Sequence, residues 1–238
     1  MAAFGSLLAL PAASQSLTGN VGSAGISKGE RSIEARLGLN EAGDAASRLH
    51  FDYAPEEWAL VRLIAGFSQP DGEDWDVSGL TAEGWLQWSE EASDDSGFNG
   101  GVRFAYTFAQ DDGPDEAEVR LTLTDKFAEN WEWRSNVIAE VEAGDSSEGG
   151  VGLELRGQVT RALEISAFGS SDWRGGIEVF SELGNSRDLP DFKDQAHQIG
   201  PVIKIGWRNG VFLQSALRAG LTDGADDAMF KVFVGREF

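Results

Sequence analysis

Met229-Phe230-Lys231-Val232-Phe233-Val234-Gly235-Arg236-Glu237-Phe238 reads as one β-strand. Phe230, Val232, Val234 and Phe238 share one parity, with Arg236 the exception. Lys231, Gly235 and Glu237 share the other, joined by Phe233. A side-chain period of two puts these sets on opposite faces of the chain. The sequence ends on this strand, and a soluble domain rarely closes on an aromatic residue in an amphipathic strand. The stretch therefore points to an architecture and a place, and names no cargo.

The same alternation recurs upstream. Ile33, Ala35, Leu37 and Leu39 alternate with Glu34, Arg36 and Gly38. Leu49, Phe51 and Tyr53 alternate with Arg48, His50 and Asp52, and Val102, Phe104, Tyr106 and Phe108 with Arg103, Ala105 and Thr107. Val119, Leu121 and Leu123 alternate with Glu118, Arg120 and Thr122, and Val151, Leu153 and Leu155 with Gly152, Glu154 and Arg156. Each run is a strand with one apolar and one polar face. The polar face is charged in mid-strand almost everywhere, and the runs approach the ~10 residues of a membrane strand. A sheet that is apolar outside and polar inside explains this better than a two-sheet sandwich, which would show strands apolar on both faces.

Thirteen such segments emerge at first count. Segments 163–169 and 176–183 have apolar residues of one parity, so they read as one strand with a glycine-containing irregularity at 170–175. That gives about twelve, an even number as expected of a single-chain barrel. Short turns are expected at 54–57, 125–130, 160–161 and 208–210. Longer polar connections are expected at 40–47, 68–76, 110–115, 144–149, 184–196 and 222–227. The long acidic stretch 90–97 breaks this alternation. Tyr53, Trp88, Trp131, Trp133, Trp207 and Phe238 fall at strand ends on the short-turn side, and Phe67, Phe108 and Phe230 near the other rim. Two aromatic belts are what a bilayer selects, because amphipathic rings prefer its interfaces.

Composition narrows the function. The 238 residues suit one large all-β domain, and the absence of cysteine excludes a disulfide framework or a thiolate metal site. Forty acidic residues against nineteen basic ones give a formal charge of -21, which excludes nucleic-acid binding through a basic surface. Residues 1–16 give a short apolar core, Pro11, and small residues at Ser14-Gln15-Ser16 spaced for a signal peptidase, without a cationic start. The expected organisation is a cleaved secretory segment over 1–16, a periplasmic lead-in over 17–30, and a barrel over 31–238.

The terminal Phe238, the alternating strands and the secretory-type start resemble a Gram-negative outer-membrane β-barrel of porin-like type. The stretch 117–168 is also similar to porin-like proteins of uncharacterised proteobacterial families and, faintly, to the barrel of copper-resistance protein B. The resemblance implies an all-β, up-and-down antiparallel barrel in the outer membrane with both termini periplasmic. In such barrels the closing strand carries the signal read by the assembly machinery, which here would be Phe230, Val232, Val234 and Phe238. Arg236 departs from the usual apolar residue, and snorkelling to headgroups would accommodate it. Implied partners are outer-membrane lipid and lipopolysaccharide, the barrel-assembly machinery and periplasmic chaperones.

The lumen face is expected to carry Arg36, Arg48, Arg62, Glu83, Arg103, Glu118, Arg120, Arg134, Glu154, Arg156, Lys204 and Arg218. Lys231, Glu34, Asp52, Glu132, Glu140, Glu164 and Glu178 accompany them. Charges inside a barrel must be hydrated or paired. One reading is a ladder of cross-strand ion pairs bracing the wall. The other is a narrow channel whose arginine rows attract anions, with 184–196 as the loop able to fold inward. The acidic loops, with Asp71-Gly72-Glu73-Asp74 and Asp223-Gly224-Ala225-Asp226-Asp227 as the best clusters, are solvated outer loops or calcium sites, and neither matches a defined motif. His50 beside Asp52 allows a triad-like orientation. His50 reads as inward, however, whereas barrel lipases carry their catalytic groups on the lipid-facing wall. His197 lies at a loop edge. Two histidines and two methionines lack the ligands of a copper site, so no cofactor is expected. The leading expectation is a narrow porin-like channel for small polar solutes, anionic ones among them. The alternatives are a non-conducting barrel acting through its acidic loops and, third, a lipid hydrolase.

Overall fold

A computed structural model describes residues 17–88, 97–110, 113–144, 147 and 149–238. The expected signal segment 1–16, most of the acidic 90–97 connection, and Asp111 and Asp112 lie outside the described residues. Twelve strands follow one another: β1 (Arg31–Asn40), β2 (Ala45–Glu56), β3 (Ala59–Gln69), β4 (Asp76–Gln87), β5 (Gly97–Ala109), β6 (Asp115–Ala128), β7 (Trp131–Ala143), β8 (Gly152–Leu163), β9 (Asp172–Asn185), β10 (Ala196–Gly206), β11 (Val211–Gly220) and β12 (Ala228–Glu237). Each pairs antiparallel with its sequence neighbours, and β1 pairs with β12, so the sheet closes as an up-and-down barrel. Closure leaves no unpaired edge.

The closing register shows why the alternation matters. Ala35 faces Val234, Leu37 faces Val232 and Leu39 faces Phe230, all on the outer wall. Arg36 faces Phe233 and Gly38 faces Lys231 on the inner wall. A one-residue slip would send every apolar side chain into the bore. The outer wall exposes Leu63, Leu80, Phe104 and Val119 among many apolar side chains, while the inner wall buries arginine, glutamate and asparagine. This inverted distribution is that of a barrel whose outside faces lipid. Tyr53, Trp88, Trp131 and Phe238 are exposed at one rim, and Phe108 and Phe230 toward the other, forming the two belts.

Two-residue turns join β2 to β3 at 57–58 and β6 to β7 at 129–130, where Asn130 takes the left-handed conformation at φ 66°. Asparagine tolerates that region because its short amide bonds locally. The β8–β9 boundary departs from expectation. Thr160 and Arg161 are not a turn but lie within β8, paired with Gly176 and Gly175. The connection is 164–171, with an isolated bridge between Ala167 and Ser170, so 163–183 is not one irregular strand. Strand pairing continues through the expected turn because Gly175 and Gly176 admit close backbone approach from β8, and a Cβ on Gly176 would strike the Val159 carbonyl.

Residues 17–30 are not a lead-in outside the barrel. Leu17, Thr18, Val21, Ala24 and Ile26 are buried, and their partners are inner-wall residues of β1, β2, β3, β4, β11 and β12 among others. From Leu17, near Ala46 and Met229 at the long-loop end, the chain descends inside the bore to Ile26 against Ala54, Leu60 and Trp85 at the short-turn end. Gly29, at φ 82°, then turns it into β1, with Gly29 and Glu30 bonded to the Ala54 backbone.

Candidate functional site: the inner wall and its occupied bore

All twelve charged residues read from the sequence as lumen-facing lie on the inner wall, at the parity opposite the apolar belt. Their pairing differs in direction from the expected cross-strand ladder. Four arginines bind the glutamate two residues before them on the same strand. Arg36 Nε lies 2.6 Å from Glu34, Arg134 Nε 2.7 Å from Glu132, and both Arg120 and Arg156 form two-point contacts with Glu118 and Glu154. Residues i and i+2 share a face and stand ~7 Å apart at the strand rise, within reach of a long arginine. The Glu-x-Arg spacing was thus legible in the sequence as Glu34/Arg36, Glu118/Arg120, Glu132/Arg134 and Glu154/Arg156.

Cross-strand pairs complete the pattern. Arg62 on β3 grips Asp52 on β2 through two 2.6 Å contacts, and Glu83 on β4 sits 3.6 Å from Arg62 and 3.7 Å from Arg103. Glu178 on β9, fully buried, forms ion pairs with Lys231 of β12 at 2.6 Å and Arg218 of β11 at 3.7 Å. Inward aromatics support these cations, a role the sequence reading missed. Arg103 stacks 3.2 Å above the Trp85 ring centre, Arg218 3.8 Å above Phe180, and Arg36 4.7 Å above Phe233. The available signal was their parity: Trp85, Phe180 and Phe233 fall on the charged face of their strands. A ring face attracts a desolvated cation.

Other inner-wall cations lack such a partner. Among the described residues Arg48, Arg174 and Lys204 have no carboxylate within 4 Å. Arg174 and Lys204 are direct cross-strand partners near the short-turn rim, and Arg48 is the partner of Arg36. Like charges directly opposite are unfavourable unless something anionic lies between them.

The bore segment is held mainly by wall side chains reaching its backbone. Arg36 donates to the Thr18 carbonyl at 3.3 Å, Lys231 to Gly19 at 2.8 Å and Arg156 to Asn20 at 3.2 Å. Asn136 on β7 both accepts from the Gly22 N–H and donates to its carbonyl, and Thr124 accepts from the Ala24 N–H. Gln214 donates to the Asn20 side chain. The constricting element is therefore this segment. The 186–195 connection carries exposed Leu189 and Phe192 and stays at the rim. The segment's own signal was its lack of charge from Leu17 to Ser27, with glycine at 19, 22 and 25, in a chain that is 25% charged.

The histidines do not form a catalytic arrangement. Among the described residues neither His50 ring nitrogen has a hydrogen-bond partner, and the Asp52 carboxylate is taken by Arg62 and Ser32. His197 stacks on Phe192 with ring centres 4.4 Å apart. No group of three or more metal-ligating side chains occurs among the described residues. The loop carboxylates instead cap turns: Asp44 receives the Asp71 N–H, Asp115 the Tyr106 hydroxyl, and Glu41 the N–H groups of 227 and 228.

The Glu41 bonds clasp the 41–44 loop to the 221–227 loop and hold its carboxyl below the usual range. Burial and then the neighbouring Glu41 charge push Asp226 up. The clasp is lost only as pH falls through the depressed Glu41 value, below the ordinary 4.5. Limited proteolysis across a pH series should show cleavage near 221–227 appearing only there, and Glu41→Gln should show it at neutral pH.

No protein-family model matches the chain, and no curated protein does. Solved structures share its fold. The COG4313 outer membrane channel from Pseudomonas putida F1 superposes with a TM-score of 0.65 at 13% identity, covering 92% of this chain and 99% of that one. The KdgM porin gives 0.61 at 11%, covering 87% and 99%, and has also been solved in complex with disordered oligogalacturonate. The NanC porin gives 0.53 at 10%, covering 87% and 98%. The fold is that of outer-membrane porin-like barrels.

Proposed function

We propose that the chain is a narrow channel for small polar solutes, with a preference for anions, in a Gram-negative outer membrane. The observation that carries the preference is the Arg174–Lys204 pair, two directly opposed cations with no carboxylate within 4 Å among the described residues, seconded by Arg48. Such a pair lowers the energy of a passing anion by about 1 kcal/mol per charge at contact in water, roughly fivefold in local concentration. The oligogalacturonate held by the KdgM porin agrees in charge. Both termini belong on the periplasmic side in this reading. Phe230, Val232, Val234 and Phe238 then present an outward apolar face to the assembly machinery, chaperones escort the chain, and lipid with lipopolysaccharide surrounds the belt.

Planar-bilayer recordings under a salt gradient test the proposal. The reversal potential should show anion preference, and Arg174→Glu with Lys204→Glu should move it toward cation preference several-fold in permeability ratio. A channel that is unselective, or that ignores this double reversal, would sink the anion assignment. A second reading, a sealed barrel acting through its acidic loops, is favoured by the occupied bore. It requires that no variant conduct.

A further inference from the structure

We propose that Leu17–Ile26 is a displaceable plug whose withdrawal from the bore opens the channel. This rests on the channel reading above. The segment has no regular structure from residue 19 to 27 and adds no strand to the sheet. Its backbone polar groups, which cannot stay unpaired when buried, are met by wall side chains instead. Bonds of this kind are exchangeable, because the same arginines, lysine and amide are served equally well by water once the segment leaves.

Apolar clusters hold the two ends, Leu17 against Ala46 and Met229, and Ile26 against Ala54, Leu60 and Trp85, and the small side chains of Val21 and Ala24 are also buried between them. Packing between them is incomplete. A cavity of about 10 Å³ lies beside Ser23 and Ala24 against Trp85, Gly101 and Thr122, at the lower limit for one water. Glycines at 19, 22 and 25 give the released chain a large gain in conformational freedom, which favours departure. The hinge is also present: Gly29 in the left-handed region, tied to Ala54 at the short-turn rim, lets the segment swing while β1 stays paired. Withdrawal frees Arg36, Arg156 and Lys231 to face the solute.

The chain has no cysteine, so an introduced pair is unambiguous. A Cβ built on Gly101 stands 3.8 Å from the Ala24 Cβ, the mean separation in disulfides. The double variant Ala24→Cys/Gly101→Cys, in the full chain, should therefore oxidise spontaneously, and mass spectrometry reads this out. Failure to oxidise would contradict the segment's place in the bore. Oxidised protein should remain in its lowest conductance state in planar bilayers, and reduction should restore transitions to a larger one.

Gly38→Val is an independent arm, because a Cβ there strikes the Leu17 backbone carbonyl and must lift the segment's tip. It should raise the open fraction at least several-fold. Equal conductance of oxidised and reduced protein would overturn the plug and leave the channel reading intact. A silent reduced protein beside a conducting Gly38→Val would show a fixed seal and overturn displaceability. Silence of every form would overturn the plug and the channel together.

Discussion

Glu178→Ala should be the most destabilising single substitution in the wall, by about 3–5 kcal/mol. Glu178 is 0% exposed and lies between Lys231 and Arg218, each 1% exposed. Removing the carboxylate leaves two cations in a site already crowded by Phe180, over which both of them pack. Their desolvation was offset by the shared anion, and no other carboxylate lies within 4 Å of Lys231 among the described residues. Urea titration of the barrel refolded into lipid vesicles measures the loss. The double variant Glu178→Ala/Lys231→Met should recover part of it, since an apolar side chain of similar length needs no counter-charge. If Glu178→Ala unfolds with the wild-type midpoint, the pair is solvated and contributes little.

Trp85→Ala should follow closely, at about 3–5 kcal/mol, the usual cost of deleting a large buried aromatic. The ring works on three sides. Arg103 and Arg62 lie over its faces, its indole N–H donates to Glu83, and its edge closes the apolar cluster with Ile26, Ala54 and Leu60. Its removal therefore loosens an Arg62–Glu83–Arg103 chain and the lower anchor of the bore segment together. The same urea titration should show the drop. Trp88→Ala, on the lipid-facing side of the same region, should move the midpoint much less. Equal effects would mean that the inner wall is no better packed than the belt.

Much of the fold was legible because a strand's period is local. Phe51 and Asp52, or Val119 and Arg120, declare their faces by parity alone, whatever they pair with. The end of a strand is not a local property. Thr160 and Arg161 look like turn residues, yet they stay in β8 because Gly176 and Gly175 on β9 are there to bond them. The direction of ion pairing was similarly open. Glu154 could meet Arg156 along β8 or a cation across the sheet, and the bonded geometry chose the first while Asp52 and Arg62 chose the second.

The candidate site divides along the same line. Which of the twelve charges line the bore followed from parity, whereas Arg174, inside the stretch 170–175 read as an irregularity, was placed beside Lys204 on the inner surface only by the strand register. Which of them lack a counter-ion needed distances, because a 4 Å contact depends on register and rotamer together. The bore segment left only a negative trace, an uncharged glycine-rich run without period.

The sequence by itself determined the inside and the outside, since alternating hydrophobicity is written residue by residue and lipid enforces it along every strand, while the count of twelve also needed the rule that such barrels are even. Only the tertiary structure decided what fills the bore. Residues 17–26 have no side-chain pattern to read, and their place is set by backbone carbonyls meeting Arg36, Lys231, Arg156 and Asn136. Those four come from strands scattered along the chain, and barrel closure alone brings them around one axis.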